Sequence, residues 1–318
     1  MDKLNVLITG AKGFIGRSLL QLISQSSGHR LIPASHSLAM HQGLTLAATD
    51  TIEMLSEKLK GVEVVVHCAG LAHIARPSPA QKKAFISVNA EFTEKLALAC
   101  VKAGVAHFIF LSSIGVNGEG KCEPYTEKDS PSPRTPYAQS KYLAEQKLWQ
   151  VAGNSELNIT ILRLPLVYGP NCKGNMNSLL KLTQARLPLP LAGIHNKRTL
   201  LDVDTLASIV LACLNNAKVY NQLYLVGSAE PVSTPDIMRS LAEGSKVSLT
   251  LFTLPSALLK AAAFVLGQQK KLSKLTSDLT VDSSKLHAAL NFSSAASVST
   301  RQSLIAYARH AQSPKGAD

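Results

Sequence analysis

Residues Leu4 to Leu20 place an apolar run, three glycines and the start of an amphipathic segment in immediate succession. The run suits a strand covered on both faces. Glycines at positions 10, 13 and 16 let the backbone turn tightly and come close to a pyrophosphate, while a helix beginning at Phe14 and Ile15 aims free N–H groups at that anion. The spacing is G-x-x-G-x-x-G, not the G-x-G-x-x-G of the usual dinucleotide turn, so the mechanism is met where the letter is not. Read alone, such a stretch also suits a glycine-rich strand-to-helix connection with no ligand.

The rest of the chain repeats this alternation. Leu31–Ala34, Val62–His67, Ala106–Leu111 and Ile159–Arg163 read as strands. Asp50–Lys60 and Asn89–Lys102 read as helices that stop at Gly61 and Gly104. Residues 118–136 read as a loop, after which Thr135 can cap a helix with Pro136 in its first turn and Gly153 past its end. Right-handed crossovers then give an α/β, Rossmann-type doubly wound parallel sheet with its ligand at the carboxyl ends of the strands. Prolines at 188, 190, 231, 235 and 255 break the later pattern into short pieces. The expected division is a dinucleotide-binding domain over residues 1–167 and a smaller mixed lobe over 168–318, some of whose segments return to the first domain.

A chain of 318 residues with 46% hydrophobic and 17% charged residues can bury a sizeable core. Its formal charge of +12 suits an anionic partner, but the basic residues are scattered and match no nucleic-acid motif, so small acidic molecules are favoured over DNA or RNA. None of the five cysteines forms a C-x-x-C pair, and no secretory apolar segment precedes the first strand, which points to the cytoplasm. The nine histidines lack metal-ligand spacing, so no metal site is expected.

Tyr137 and Lys141 stand four residues apart, on one face of a helix. A phenol, with pKa near ~10, is a poor acid–base group at neutral pH, and a neighbouring cation favours the phenolate. Ser113, at the carboxyl end of a strand, can meet the same substrate oxygen. The three together form a proton-transfer site for an alcohol or ketone.

With these pieces in place, the chain resembles an extended short-chain dehydrogenase/reductase of the nucleotide-sugar epimerase/dehydratase family. The matching pieces are Thr9–Gly16, His67–Gly70, Val88–Asn89, Ser112–Ser113, Tyr137–Lys141, Arg163–Pro170 and Asp282–Leu286. The resemblance implies pyrophosphate binding at Gly10, Gly13 and Gly16, with Phe14 and Ile15 alongside, and cofactor contact at Ser35, Ala69, Gly70, Tyr137 and Lys141. Asn89 would be structural and cofactor-proximal, and Ser113, Tyr137 and Lys141 would be catalytic. Segments Leu187–Arg198 and Ser113–Gly120 further resemble a subgroup acting on UDP-N-acetylated 6-deoxyhexoses in surface polysaccharide synthesis. There Arg198 would bind the diphosphate of a UDP-sugar.

Three departures bear on the chemistry. Ser35 stands where NAD-preferring members carry an acid for the ribose 2′-hydroxyl, and Ala47 where many members have an aspartate beside the adenine. Ser35, His36 and Ser37 offer neutral or donating groups to a ribose 2′-phosphate, which favours NADP over NAD. Leu166 stands where many epimerases have an asparagine near the sugar, leaving Asn175 as the polar contact. Asn117 replaces a tyrosine on the hexose side. Reduction of a C4 ketone is the leading reading, with 4-epimerisation and a non-catalytic dinucleotide-binding regulator as alternatives. A homodimer is compatible with all three. Finally, Leu254–Gly267 is too short to span a bilayer, and with Pro255 and Lys260 it is expected to pack over the sugar pocket and keep the protein off membranes.

Overall fold

Apolar residues on successive strands go alternately to two separate cores, and this makes the sheet. The computed structural model describes residues 3–36, 43–72, 74, 77–172, 174–228, 230–292 and 299–312, so Ser37 lies outside the described residues. In chain order the first half contains β1 (Asn5–Thr9), α1 (Phe14–Ser26), β2 (Arg30–Ser35), β3 (Leu44–Thr45), α2 (Ile52–Lys58), β4 (Val64–His67) and α3 (Pro79–Ile86). After a π-helical turn at Ser87–Glu91 come α4 (Phe92–Ala103), β5 (His107–Ser113), α5 (Pro136–Gly153) and β6 (Asn158–Leu164). Val6, Ile8, Val64, Val66, Ile109, Leu111 and Leu162 pack on one side. Leu7, Val65, Phe108, Phe110, Ile159 and Ile161 pack on the other. A strand buried on both faces is apolar at most positions, which is why these segments carry runs such as Val64–Val66 and Phe108–Leu111.

The second half contains β7 (Leu166–Tyr168), α6 (Asn175–Gln184), β8 (Leu200–Asp202), α7 (Val203–Cys213), β9 (Gln222–Leu225) and α8 (Thr234–Gly244). It ends with α9 (Ser256–Val265), α10 (Gln269–Thr276), α11 (Ser284–Leu290) and α12 (Thr300–His310). The large sheet runs β3-β2-β1-β4-β5-β6-β9, with every pairing parallel. Strand order reverses between β1 and β4, and a crevice opens there at the carboxyl ends of the strands. From the later half, β9 joins the sheet beside β6 and α7 packs on α1. β7 and β8 form a separate parallel pair.

Several local expectations need correction. The helix before β5 starts ten residues early, at Pro79, because Ser78 and Gln81 form a reciprocal capping box with proline in the first turn. Asn89 lies in the π turn inside this helical run and not at its start. Thr135 caps α5 as expected, accepting from the Ala138 amide, but Gly153 is the last helical residue and Asn154 the cap. The stretch around α9 does not bury its second face. Leu259 and Ala263 turn inward, whereas Leu258, Phe264, Val265 and Leu266 are 57, 71, 82 and 70% exposed. No helix among the described residues is long and apolar enough to cross a membrane.

Candidate active site

Gly10 ends β1 with φ +68°, a conformation that strains any residue with a Cβ. A methyl there would stand 2.9 Å from the Ala69 amide nitrogen, and one at Gly16 would overlap the Gly10 carbonyl. The turn after β1 and the loop after β4 therefore touch at the switch point, leaving a cradle that only glycines permit. The Gly13 amide donates to Gly10 O at 2.8 Å, and Gly13 then caps α1 without a side-chain bond. First-turn amides of a thirteen-residue helix face the crevice with no acid in that turn, a donor set that fits a dinucleotide pyrophosphate. The Phe14 ring is spent on packing against Tyr168, Leu166 and their neighbours, so its contribution to a ligand is its backbone.

Beneath this turn lies a buried polar chain. The Ala69 amide donates to Thr9 Oγ1 (3.2 Å), Thr9 bonds His67 Nδ1 (2.8 Å), and His67 Nε2 bonds Thr93 Oγ1 (3.0 Å). Because Thr93 donates to Asn89 O at 2.8 Å, His67 must donate from Nε2 and accept at Nδ1. Burial pushes the imidazole pKa down to about 3, so it stays neutral. Asn89 is fully buried. Its Oδ1 accepts from the Leu71 amide (2.7 Å) and its Nδ2 donates to Leu71 O (3.0 Å) and Ser140 Oγ (2.9 Å). It thereby ties the loop carrying Gly70 to the helix carrying Tyr137 and Lys141.

Of those two, Tyr137 lies beside Ser113 and Lys141 turns to β5. Ser113, whose Oγ accepts from the Gly115 amide at 3.1 Å, neighbours the Tyr137 phenol, whose ring meets Phe85 edge-on at 6.1 Å. Lys141 is buried, and its Nζ donates to Leu111 O at 2.8 Å over the face of Phe110, 4.4 Å from the ring centre. A methyl on Gly70 would stand 3.5 Å from that Nζ. The expected phenolate is not favoured here. Desolvation by burial raises Tyr137 to about 12, with the neighbouring Ser113 pulling the other way. Burial likewise lowers Lys141 to about 8, opposed by Cys68 and Glu145.

A group not singled out from the sequence stands behind this set. The buried Glu145 and Arg163 pair at 3.0 Å (Nε to Oε1) and 2.6 Å (Nη2 to Oε2), Ser112 Oγ donates to Glu145 at 2.5 Å, and Arg163 Nη1 donates to Asn117 Oδ1 at 2.9 Å. Asn117, expected on the hexose side, is buried within this network. The signal was available as Glu145 four residues beyond Lys141, but its partner on β6 is not local. In the second half of the chain, Arg198 Nη1 donates to Lys274 O (3.1 Å) and Ser277 O (3.0 Å) at the end of α10. Asn175 is exposed at the first position of α6. Ser35 is buried at the end of β2 and His36 exposed after it. No cluster of three or more metal-ligating side chains occurs among the described residues.

A parallel sheet with a glycine cradle at its switch point and a Ser–Tyr–Lys set beside it defines an enzyme of the extended short-chain dehydrogenase/reductase type. The model of the NAD dependent epimerase/dehydratase family matches residues 6–227, and the chain belongs to that family. A UDP-glucose 4-epimerase of Vibrio cholerae is 33% identical over 285 residues, covering 87% of each chain. An Escherichia coli O157:H7 epimerase named for N-acetyl-alpha-D-glucosaminyl-diphospho-ditrans,octacis-undecaprenol is 26% identical, covering 69% of this chain and 66% of that one. Among solved structures, UDP-glucuronic acid 4-epimerase from Bacillus cereus in complex with NAD superimposes with a TM-score of 0.76 at 23% identity, over 97% of this chain and 99% of that one.

Proposed function

We propose that the enzyme acts at C4 of a UDP-activated sugar, reducing the ketone of a UDP-2-acetamido-2,6-dideoxy-4-hexulose. The observation that carries the proton chemistry is the Tyr137 phenol beside Ser113, on the helix that also brings Lys141 to Gly70. A bound nicotinamide dinucleotide supplies or accepts hydride. Ser113 polarises the sugar oxygen, and Tyr137, whose raised pKa keeps it a proton donor, protonates that oxygen as the alcohol forms. Lys141 positions the phenol, and Arg198 would take the diphosphate as a bidentate donor. Leu166 is half-buried against the cluster that contains Tyr168, Met176 and Leu180, and an apolar wall here suits a 6-deoxy carbon better than a hydroxymethyl group.

The 4-epimerases among the relatives favour a second reading, in which the same residues oxidise C4 and reduce it from the other face. One assay separates the two. With the 4-hexulose and reduced cofactor, one cofactor oxidised per sugar consumed supports net reduction. Interconversion of UDP-glucose or UDP-N-acetylglucosamine with their C4 epimers, with no net cofactor change, would replace it with epimerisation.

NADP is the proposed preference. No acid lies between Leu31 and Thr49, and Asp50, the next one, is engaged by Lys58 Nζ (2.7 Å) and the Ala47 amide (2.8 Å). The end of β2 therefore presents no carboxylate of its own to repel a 2′-phosphate. Fluorescence titration should find NADPH bound more tightly than NADH, and tenfold tighter NADH binding would reverse the assignment.

A further inference from the structure

α9 is apolar on both faces, but the fold covers only one. Leu259 and Ala263, spaced i and i+4, turn inward, Leu259 onto the cluster of Leu191, Ile194 and Met238. Leu258, Ala261, Ala262 and Val265, spaced i, i+3, i+4 and i+7, form a second apolar stripe, and all four are exposed. Phe264 and Leu266 extend it at the helix end, where Gly267 (φ +62°) turns the chain into α10. Val265, Phe264 and Leu266 are the most exposed large apolar side chains among the described residues.

Charge selects the occupant. Between Glu243 and Asp278 the sequence has no acidic residue and five lysines, at 246, 260, 270, 271 and 274. Lys260 lies on α9 and Lys274 on α10, both exposed, and α10 packs against α9. A second copy of the chain would bring these lysines toward their equivalents. A ten-residue helix is also only ~15 Å long and presents far less than the ~800 Å² per partner of a stable dimer. An apolar stripe flanked by lysines, on a chain of net charge +12, matches an anionic lipid surface.

We propose that α9 and α10 dock the enzyme peripherally on an anionic bilayer, the α9 stripe entering the interface and the lysines meeting lipid phosphates. The docking is non-spanning. It also lies close to the substrate lobe, since Arg198 is held by the carbonyls of Lys274 and Ser277. The inference rests on exposure and charge, independently of the sugar chemistry.

The test is sedimentation of the full chain with phosphatidylglycerol/phosphatidylcholine vesicles at ~0.1 M salt, where surface charge is only partly screened. Most of the protein should pellet with them, little with phosphatidylcholine alone, and raising salt to ~0.5 M should release a large part. Leu258→Gln/Val265→Gln and, separately, Lys260→Gln/Lys274→Gln should each lower the pelleted fraction several-fold while unfolding at the wild-type midpoint. Wild type remaining in the supernatant would overturn the proposal, as would equal pelleting of wild type and both variants. A vesicle-free dimer in sedimentation velocity that Leu258→Gln/Val265→Gln dissociates would assign the stripe to a second copy and overturn it too.

Discussion

Tyr137→Phe is expected to lower kcat by ~10²- to 10⁴-fold while leaving cofactor binding nearly intact. Phenylalanine keeps the edge-on contact with Phe85 and the helical position on α5, so packing changes little. What it removes is the phenolic hydroxyl beside Ser113. Ser113 is the neighbouring side chain with an exchangeable proton, but a serine hydroxyl is a far weaker acid than a phenol. Lys141 is committed to Leu111 O, on the side of the helix that faces β5. The measurement is steady-state turnover with a parallel fluorescence titration of cofactor. Turnover within about threefold of wild type would remove Tyr137 from the proton path. Loss of cofactor binding together with turnover would make its role one of binding.

The sheet and the cradle were legible in the sequence because both are written locally. A strand buried on two faces is apolar at nearly every position, as the runs Val64–Val66 and Phe108–Leu111 are. A helix puts residues four apart on one face, so Tyr137 and Lys141 were bound to be neighbours. α3 was missed because Phe85 is its one buried residue, and its signal was the Ser78/Gln81 capping box and not a stripe. The direction of the Tyr137 shift was also out of reach. The sequence puts a cation four residues away, but only the fold shows how fully the phenol is desolvated. For α9 the apolar composition was plain, and the absence of a partner for its second stripe was not, because burial depends on what the rest of the chain brings to that surface. Glu145 illustrates the same limit at the site. Its distance from Lys141 is a property of the helix, whereas its pairing with Arg163 depends on how α5 lies across β5 and β6.

That pair should dominate the stability of this region. Glu145 and Arg163 are 1 and 3% exposed, their contact is bidentate, and Ser112 and Asn117 satisfy further valences. Removing one partner leaves a charge buried without compensation, so Glu145→Leu and Arg163→Met should each cost ~3–5 kcal/mol. Removing both leaves no uncompensated charge, and the double variant should recover a large part of that loss, because desolvating the pair is itself expensive. Urea unfolding of the two single variants and the double variant closes the cycle. A single-variant cost below ~1 kcal/mol would mean that water or a rearranged neighbour replaces the lost partner, and that the pair does not hold α5 to the strands. The same cycle bears on function, since Ser112 precedes Ser113 and Glu145 lies one helical turn beyond Lys141. If the pair sets the seat of α5 on β5, the double variant will be as well folded as wild type by near-ultraviolet circular dichroism and yet slower in kcat with KM little changed. Apolar packing can restore the free energy of the interface, but it does not reproduce the directional bonds that fix where the phenol stands relative to Ser113.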